Sequence, residues 1–112
     1  MNGPVLSRKL VLEDRIAVAD GMGGQSILWT ALGTLWGEMT PGTGRSELVS
    51  GREVPRQPWR IVVRAAPVGA PSRPRAEQRL REGTRVFNIL SVAERNDDAR
   101  FLTLYAEEGL AI

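Results

Sequence analysis

The sequence predicts an all-β fold, a small antiparallel barrel or sandwich of about six strands with two long loops and at most a short helix. Short runs such as WRIVVRA and RFLTLYAEE alternate apolar and polar residues, as strands with one buried face do. Clusters drawn from 12 glycines and 7 prolines separate these runs. With 112 residues, of which 42% are hydrophobic, we expect one domain with its own core, residues 1–112.

Two strands joined by a glycine turn are predicted in the first part of the chain. RKLVLEDRIAVA (8–19) carries two leucines on one face, and ADGMGGQS reads as a turn because glycine adopts positive φ without steric cost. The leucines of ILWTALGTLWGEM (27–39) also fit helical spacing, but its glycines, threonines and tryptophans favour a strand. Residues 40–57 hold three glycines and two prolines and predict a long loop, with at most one helical turn around 46–50.

The remaining elements are three strands and a second loop. WRIVVRA shows the clearest alternation, and three prolines in the segment that follows predict an exposed loop at about 67–82. GTRVFNILSVAER and RFLTLYAEE are predicted strands, and NDD (96–98) between them is a hairpin turn. The apolar residues that face inward in these patterns form the predicted core: Leu10, Leu12, Trp36, Trp59, Ile61, Val63, Phe87, Ile89, Leu102 and Leu104.

Composition argues against an enzyme. The chain has no Cys and no His, which removes disulfides, the usual zinc sites, thiol nucleophiles and the commonest general base. DGMGG and PGTG are not followed by the Lys-Ser/Thr pair or the helix of a phosphate-binding loop, so tight turns explain them better. We therefore expect no catalytic residues, no cofactor and no metal. Without a long apolar run or a leader-like start, we also expect a cytoplasmic product.

The arginines of the predicted loops indicate a polyanion partner. The net charge of +2 divides into −1 for residues 1–40, +6 for 41–85 and −3 for 86–112. The first loop carries Arg45, Arg52 and Arg56, and the second carries Arg73, Arg75, Arg79 and Arg81. Loop arginines without stacking aromatics suit phosphate contact that ignores base sequence. Composition alone, however, favours the simpler interpretation that mixed charges keep the protein soluble.

Seven short motifs follow one another in a distinctive order. SRKLVLE opens the chain, DGMGG is an Asp-Gly-x-Gly-Gly turn, and LWGEMTP precedes GTGRSE. WRIVVRA, GTRVFNILSV and RFLTLYAEE complete the set, which spans about residues 7 to 108. In order and spacing these motifs resemble the small head–tail joining proteins of tailed bacteriophages, also called head-closure or stopper proteins. The chain departs from that pattern in lacking a His before WRIVVRA and in having Ala65 where the family often has Tyr.

The resemblance implies a structural protein of a phage neck. It implies a β-barrel in a ring of six or twelve copies, with the portal–adaptor ring above and the tail terminator or tail tube below. The ring would close the channel on packaged double-stranded DNA, with Arg45, Arg52 and Arg56 in a gate loop and the second-loop arginines contacting a neighbouring ring. The abundance of arginine suits a prophage or gene transfer agent. The alternative is a stand-alone nucleic-acid-binding barrel of the OB or SH3-like type that binds free DNA or RNA as a monomer.

Overall fold

The structure, a computed structural model, describes residues 3–95 and 98–109. Its elements are seven strands: β1 Arg8–Ala19, β2 Gln25–Pro41, β3 Arg45–Val49, β4 Arg52–Arg64, β5 Arg79–Glu82, β6 Arg85–Arg95 and β7 Asp98–Gly109. No helix occurs in the described ranges, so the predicted all-β class is confirmed. Of the predicted turn at 96–98, the first two residues lie outside the described residues.

Six of the strands close into an antiparallel barrel. They follow one another in the order β2-β1-β5-β6-β7-β4, and β4 pairs back onto β2 from Gly37↔Val63 to Pro41↔Trp59. Gly37 permits this closure, since a Cβ there would lie 3.1 Å from Leu10 Cδ1 and 3.2 Å from Ile61 Cγ2. Closure matters because it leaves the six strands without free edges wherever they form the wall.

The core lies inside this barrel. Eight of the ten predicted core residues belong to its buried cluster, which also includes Leu80 and Ala106. Trp59 is partly buried and packs edge-on against Phe87, with 5.8 Å between ring centroids. Trp36 was predicted wrongly: its side chain is 52% exposed. Side chains alternate across a strand, and in β2 the inward positions belong to Leu35 and Gly37, so Trp36 points outward.

The predicted first loop is wrong, because residues 45–49 and 52–57 form strands. β3 and the first half of β4 make a regular hairpin, with Arg45 opposite Arg56 and Val49 opposite Arg52. Its turn is Ser50–Gly51, both at positive φ (51° and 80°), as two-residue hairpin turns require. One Gly in the segment thus forms the turn, and only residues 42–44 remain irregular. The helical turn expected around 46–50 does not form.

The predicted second loop is shorter than expected. Residues 79–82 form β5 instead, which pairs with both β1 and β6 and so completes the wall. The irregular segment covers residues 65–78 and is held by turn hydrogen bonds, from Ala70 N to Pro67 O and from Arg73 N to Ala70 O, each 3.0 Å. β5 escaped prediction because four residues are too few to show a period.

Two hairpins extend beyond the barrel wall. In the β1–β2 arm, defined as residues 14–31, the strands pair only with each other, since β5 reaches β1 only at Val11–Glu13 and β4 reaches β2 only at Gly37–Pro41. In the β3–β4 arm, defined as residues 42–56, β3 pairs only with β4. Most residues of both arms are exposed.

The different positions of Phe87 and Trp36 predict unequal effects of truncating the two side chains. Phe87→Ala should lower the free energy of unfolding by about 3–5 kcal/mol, because it leaves a cavity in the core. Trp36→Ala should cost less than about 1 kcal/mol, since the ring is half in solvent. Urea denaturation of the two variants measures both. Equal losses would mean that Trp36 packs against the core after all.

Candidate DNA-contact and docking surfaces

One face of the β3–β4 arm presents the three arginines predicted for the first loop. Arg45 lies opposite Arg56, and Arg52 lies four pairs further along, opposite Val49. Since residues directly opposite share a face and side chains alternate along each strand, the three project to the same side. The same face also holds Glu47, opposite Val54. The hairpin therefore holds the three arginines in a regular array, which a loop would have left unordered.

The arginines of this face differ in what they contact. Arg56 is held at the base of the arm by Glu47 (3.2 Å) and by Glu107 of β7 (3.4 Å). Arg45 and Arg52 are exposed and make no ion pair with any residue that the structure describes. Arg56 thus braces the arm against the barrel, while Arg45 and Arg52 are available to an external anion.

Backbone contacts also hold the base of the arm. The amide of Gly42 donates to the carbonyl of Pro58 at 2.9 Å. The side-chain amide of Gln57 donates to the carbonyls of Gly42 and Pro58, both at 3.0 Å. Together with the Arg56 ion pairs, these bonds fix the direction in which the arm leaves the barrel.

A set of ion pairs and hydrogen bonds, which we call the collar, joins five strands of the barrel. We define it as Arg8, Glu82, Arg85, Glu108 and the indole of Trp59. Arg8 donates twice to Glu82 (2.6 and 2.5 Å), and Arg85 donates twice to Glu108 (2.9 and 3.1 Å). The Trp59 Nε1–H completes the set with a 3.0 Å bond to Glu108. Sequence analysis missed the collar, because Arg8 and Glu82 are 74 residues apart and no local pattern links them.

The collar shifts the protonation of its carboxylates. Hydrogen bonds from Arg8 lower the pKa of Glu82 below its ordinary 4.5, against the opposing effect of burial. Hydrogen bonds from Arg85, with a further one from Trp59, lower the pKa of Glu108 in the same way. Both carboxylates are therefore more acidic in the folded than in the unfolded chain, and the fold is stabilised while they are ionised.

The four arginines of the predicted second loop occupy two different environments. Arg79 and Arg81 belong to β5, and Arg79 is only 3% exposed: its guanidinium lies 2.6 Å from Glu13 and 4.1 Å from the ring centroid of Trp29. Arg81 contacts the same Glu13 at 3.2 Å. This cluster attaches the root of the β1–β2 arm to β5, so burial makes Arg79 a structural residue.

The other two second-loop arginines lie in the irregular segment, as predicted. Arg73 donates to the carbonyl of Ala66 at 2.8 Å, and Arg75 makes a 3.5 Å ion pair with Asp14 while its side chain stays 69% exposed. Both line a groove of about 420 Å³, together with Leu32 and Val68. The groove is open to an external group.

Other kinds of site are not seen in the described ranges. Residues 3–95 and 98–109 contain no group of three or more acidic side chains arranged to hold a metal ion. Among these residues there is also no helix of the length and apolarity needed to cross a membrane. The surfaces that remain for function are the arginine face of the β3–β4 arm, the β1–β2 arm and the second-loop groove.

A family model described as "Phage head completion protein" matches residues 1–109. The chain belongs to the phage head completion protein family. The family assignment made from the ordered motifs is thus confirmed. Among curated protein sequences, none matches this chain.

A solved structure supports the same assignment. One chain of the "Virion of native gene transfer agent (GTA) particle" is 47% identical to this protein and superposes with a TM-score of 0.84. The alignment covers 98% of this chain and 100% of that chain. The whole barrel with both arms is therefore comparable to a component of such a particle, and the similarity is not confined to a motif.

Removal of Arg79 should destabilise the protein far more than removal of Arg75. Arg79→Ala removes a buried guanidinium, leaves part-buried Glu13 paired only with Arg81 among the described residues, and should lower the free energy of unfolding by about 3 kcal/mol. Arg75→Ala removes an exposed ion pair and should cost less than about 1 kcal/mol. Thermal and urea unfolding of the matched pair measure the difference. A small effect of Arg79→Ala would show that the Glu13 cluster does not hold the arm root.

The collar predicts loss of stability in acid. Its contribution is complete above the unfolded-state pKa near 4.5 and disappears as the pH falls through the lower folded-state values of Glu82 and Glu108. Glu108→Gln should reduce stability at neutral pH by about 1 kcal/mol and flatten the loss below pH 4.5. Unfolding measured from pH 7 to pH 3 tests this, with exposed Glu94→Gln as the control. If the stability of Glu108→Gln depends on pH as that of the unaltered protein does, the ionised Glu108 of the collar is not the source of the loss of stability in acid.

Proposed function

We propose that this protein is a ring-forming stopper that closes the portal DNA channel of a phage-like particle after packaging. The single observation that carries the proposal is the array of arginines on one face of the projecting β3–β4 arm. Membership of the phage head completion family and the likeness to a gene transfer agent virion support its place in such a particle. They also support a structural rather than a catalytic role.

In the proposed ring, each β3–β4 arm points into the channel. Arg45 and Arg52 contact the phosphates of the duplex, and Arg56 positions the arm through Glu47 and Glu107. A duplex carries one negative charge per roughly 1.7 Å of axis, so six or twelve copies of two free arginines meet a dense phosphate lattice. Such contacts ignore base sequence, as a particle that packages arbitrary DNA requires.

The proposed neighbours follow from the position of a stopper. A portal or adaptor ring lies above it, and a tail terminator or tail tube lies below. Assembly takes place in the cytoplasm of the producing cell, and the mature location is the neck of the particle. Arg73, which is half-buried, and Arg75, which is exposed, are proposed to contact a neighbouring protein subunit instead of DNA.

Removing the free arginines should weaken DNA retention without affecting folding. In particles from producing cells, Arg45→Ala combined with Arg52→Ala should lower the nuclease-protected DNA per particle several-fold, because the arms lose their free phosphate contacts. Lys9→Ala combined with Arg60→Ala removes the same charge from exposed positions outside both arms and is the control. Circular dichroism and thermal unfolding should be unchanged in both variants.

Two results would contradict the proposal. Normal DNA retention by the Arg45/Arg52 variant, in particles that contain a normal amount of the protein, would exclude the arm as the DNA gate. A soluble monomer that shifts free DNA at moderate salt and is absent from particles would favour the stand-alone nucleic-acid-binding barrel.

A further inference from the structure

The β1–β2 arm is exposed but almost free of charge. Between residues 16 and 31 the only charged side chain is Asp20, whereas the shorter β3 and β4 segments of the other arm carry five. Its exposed apolar side chains are Ile16, Val18, Met22, Ile27 and Leu28. Exposed strand edges normally carry charges or prolines that prevent pairing with another chain. This arm has no such protection over that span, so its composition suits a surface that another protein covers.

The tip of this arm is a preordered knob. The carboxylate of Asp20 accepts hydrogen bonds from the amides of Met22 (2.8 Å) and Gly24 (3.1 Å). Gly21 and Gly23 adopt φ values of 81° and 85°, which L-residues rarely do. The turn holds Met22 outward with its side chain 90% exposed. A rigid turn that presents an adaptable apolar side chain loses little entropy on docking.

The second-loop groove has the complementary character. Five of its nine lining residues are apolar or small, and one of these, Val68, is 86% exposed; the others are Asp14, Arg73, Arg75 and Gln78. Arg73 and Arg75 exceed Asp14, the partner of Arg75, by one charge, so the lining is net positive and opposite in sign to Asp20, the only charge of the distal arm. The turn hydrogen bonds from Ala70 and Arg73 order the segment around it. Its volume of about 420 Å³ accommodates a methionine side chain together with neighbouring turn residues.

The knob cannot reach the groove of its own chain. Asp14 at the arm root lines the groove, and Asp20 lies six residues further along an extended strand. At about 3.3 Å per residue the tip is roughly 20 Å away. The two complementary surfaces can therefore meet only between different molecules.

We propose that Met22 and the turn around it dock into the second-loop groove of a neighbouring copy of this chain. The knob and the groove are different surfaces of one subunit, so the contact is head-to-tail, and repetition of such contacts generates a closed ring or a filament. This inference rests on the ring of the proposed stopper, and it identifies the surfaces through which the ring is joined.

Cysteine cross-linking tests the contact directly, because the natural chain contains no cysteine. Met22→Cys combined with Val68→Cys, incorporated into particles from producing cells and oxidised, should give a ladder of dimers and higher multimers on a non-reducing denaturing gel. Each single variant should give no ladder. Met22→Cys combined with Leu90→Cys pairs the tip with an exposed apolar position outside the groove and should give none either.

A second pair of variants tests the contact without requiring that particles form. In the purified protein, Val68→Glu should abolish multimers seen by native mass spectrometry at high concentration, while Leu90→Glu, an equal change at the other exposed site, should leave them intact. Absence of a ladder in particles with a normal content of the double-cysteine protein would overturn the proposal. So would a cross-link from Met22→Cys to a different protein.

The same experiments separate this inference from the stopper function. If the ladder forms but replacement of Arg45 and Arg52 by alanine does not change DNA retention, the contact between copies is valid and the gate is wrong. Intact DNA closure in particles without the cross-link would leave the gate valid and exclude this contact.

Discussion

Barrel closure between β2 and β4 is the constraint on which the rest of the structure depends. Gly37 favours the contact, because a Cβ there would lie only 3.1 Å from Leu10 Cδ1 and 3.2 Å from Ile61 Cγ2. Once β4 pairs with both β2 and β7, the wall needs only part of each long strand. β2 has 17 residues and β4 has 13, and the surplus length of both must leave the barrel as hairpins. The two arms are thus consequences of strands longer than the wall that they build.

The charge asymmetry of the sequence is largely neutralised within the fold. Arginines of the basic middle segment pair with carboxylates from the acidic ends: Arg75 with Asp14, Arg79 and Arg81 with Glu13, Arg56 with Glu107, and Arg85 with Glu108. The positive charge left for an external polyanion is therefore smaller than the segment total of +6 indicates, and it is more localised. Arg45 and Arg52 at the projecting arm are part of that remainder. Positive charge that is confined to one arm suits the proposed role of holding DNA at one level of a channel.

The two arms divide the proposed work by their composition. The β3–β4 arm carries five charged side chains, which protect its exposed edge from pairing with another strand and suit the proposed solvated channel. The β1–β2 arm lacks charges along most of its length and ends in a rigid apolar knob, as a contact between proteins requires. Both are anchored by ion pairs at their roots, through Glu13 and Arg79 in one and through Arg56 and Glu107 in the other. A rigid barrel with anchored arms can transmit the position of one subunit to the next.

The sequence by itself determined the all-β class, the family and most of the core, because alternation in runs such as WRIVVRA reports directly which side chains are buried. It did not determine that residues 45–49 and 52–57 are strands, since glycine and proline signal turns without showing whether one residue or fifteen make the turn. It could not distinguish Trp36 from Trp59, because the face of each depends on which strand closes against which. Nor could it distinguish buried Arg79 from exposed Arg75, because both follow prolines in one polar segment. Arg79 is buried because Glu13 and Trp29 of a distant hairpin pack against its guanidinium. Pairings across such sequence distances are set by the closed barrel, which is why tertiary structure alone decided them.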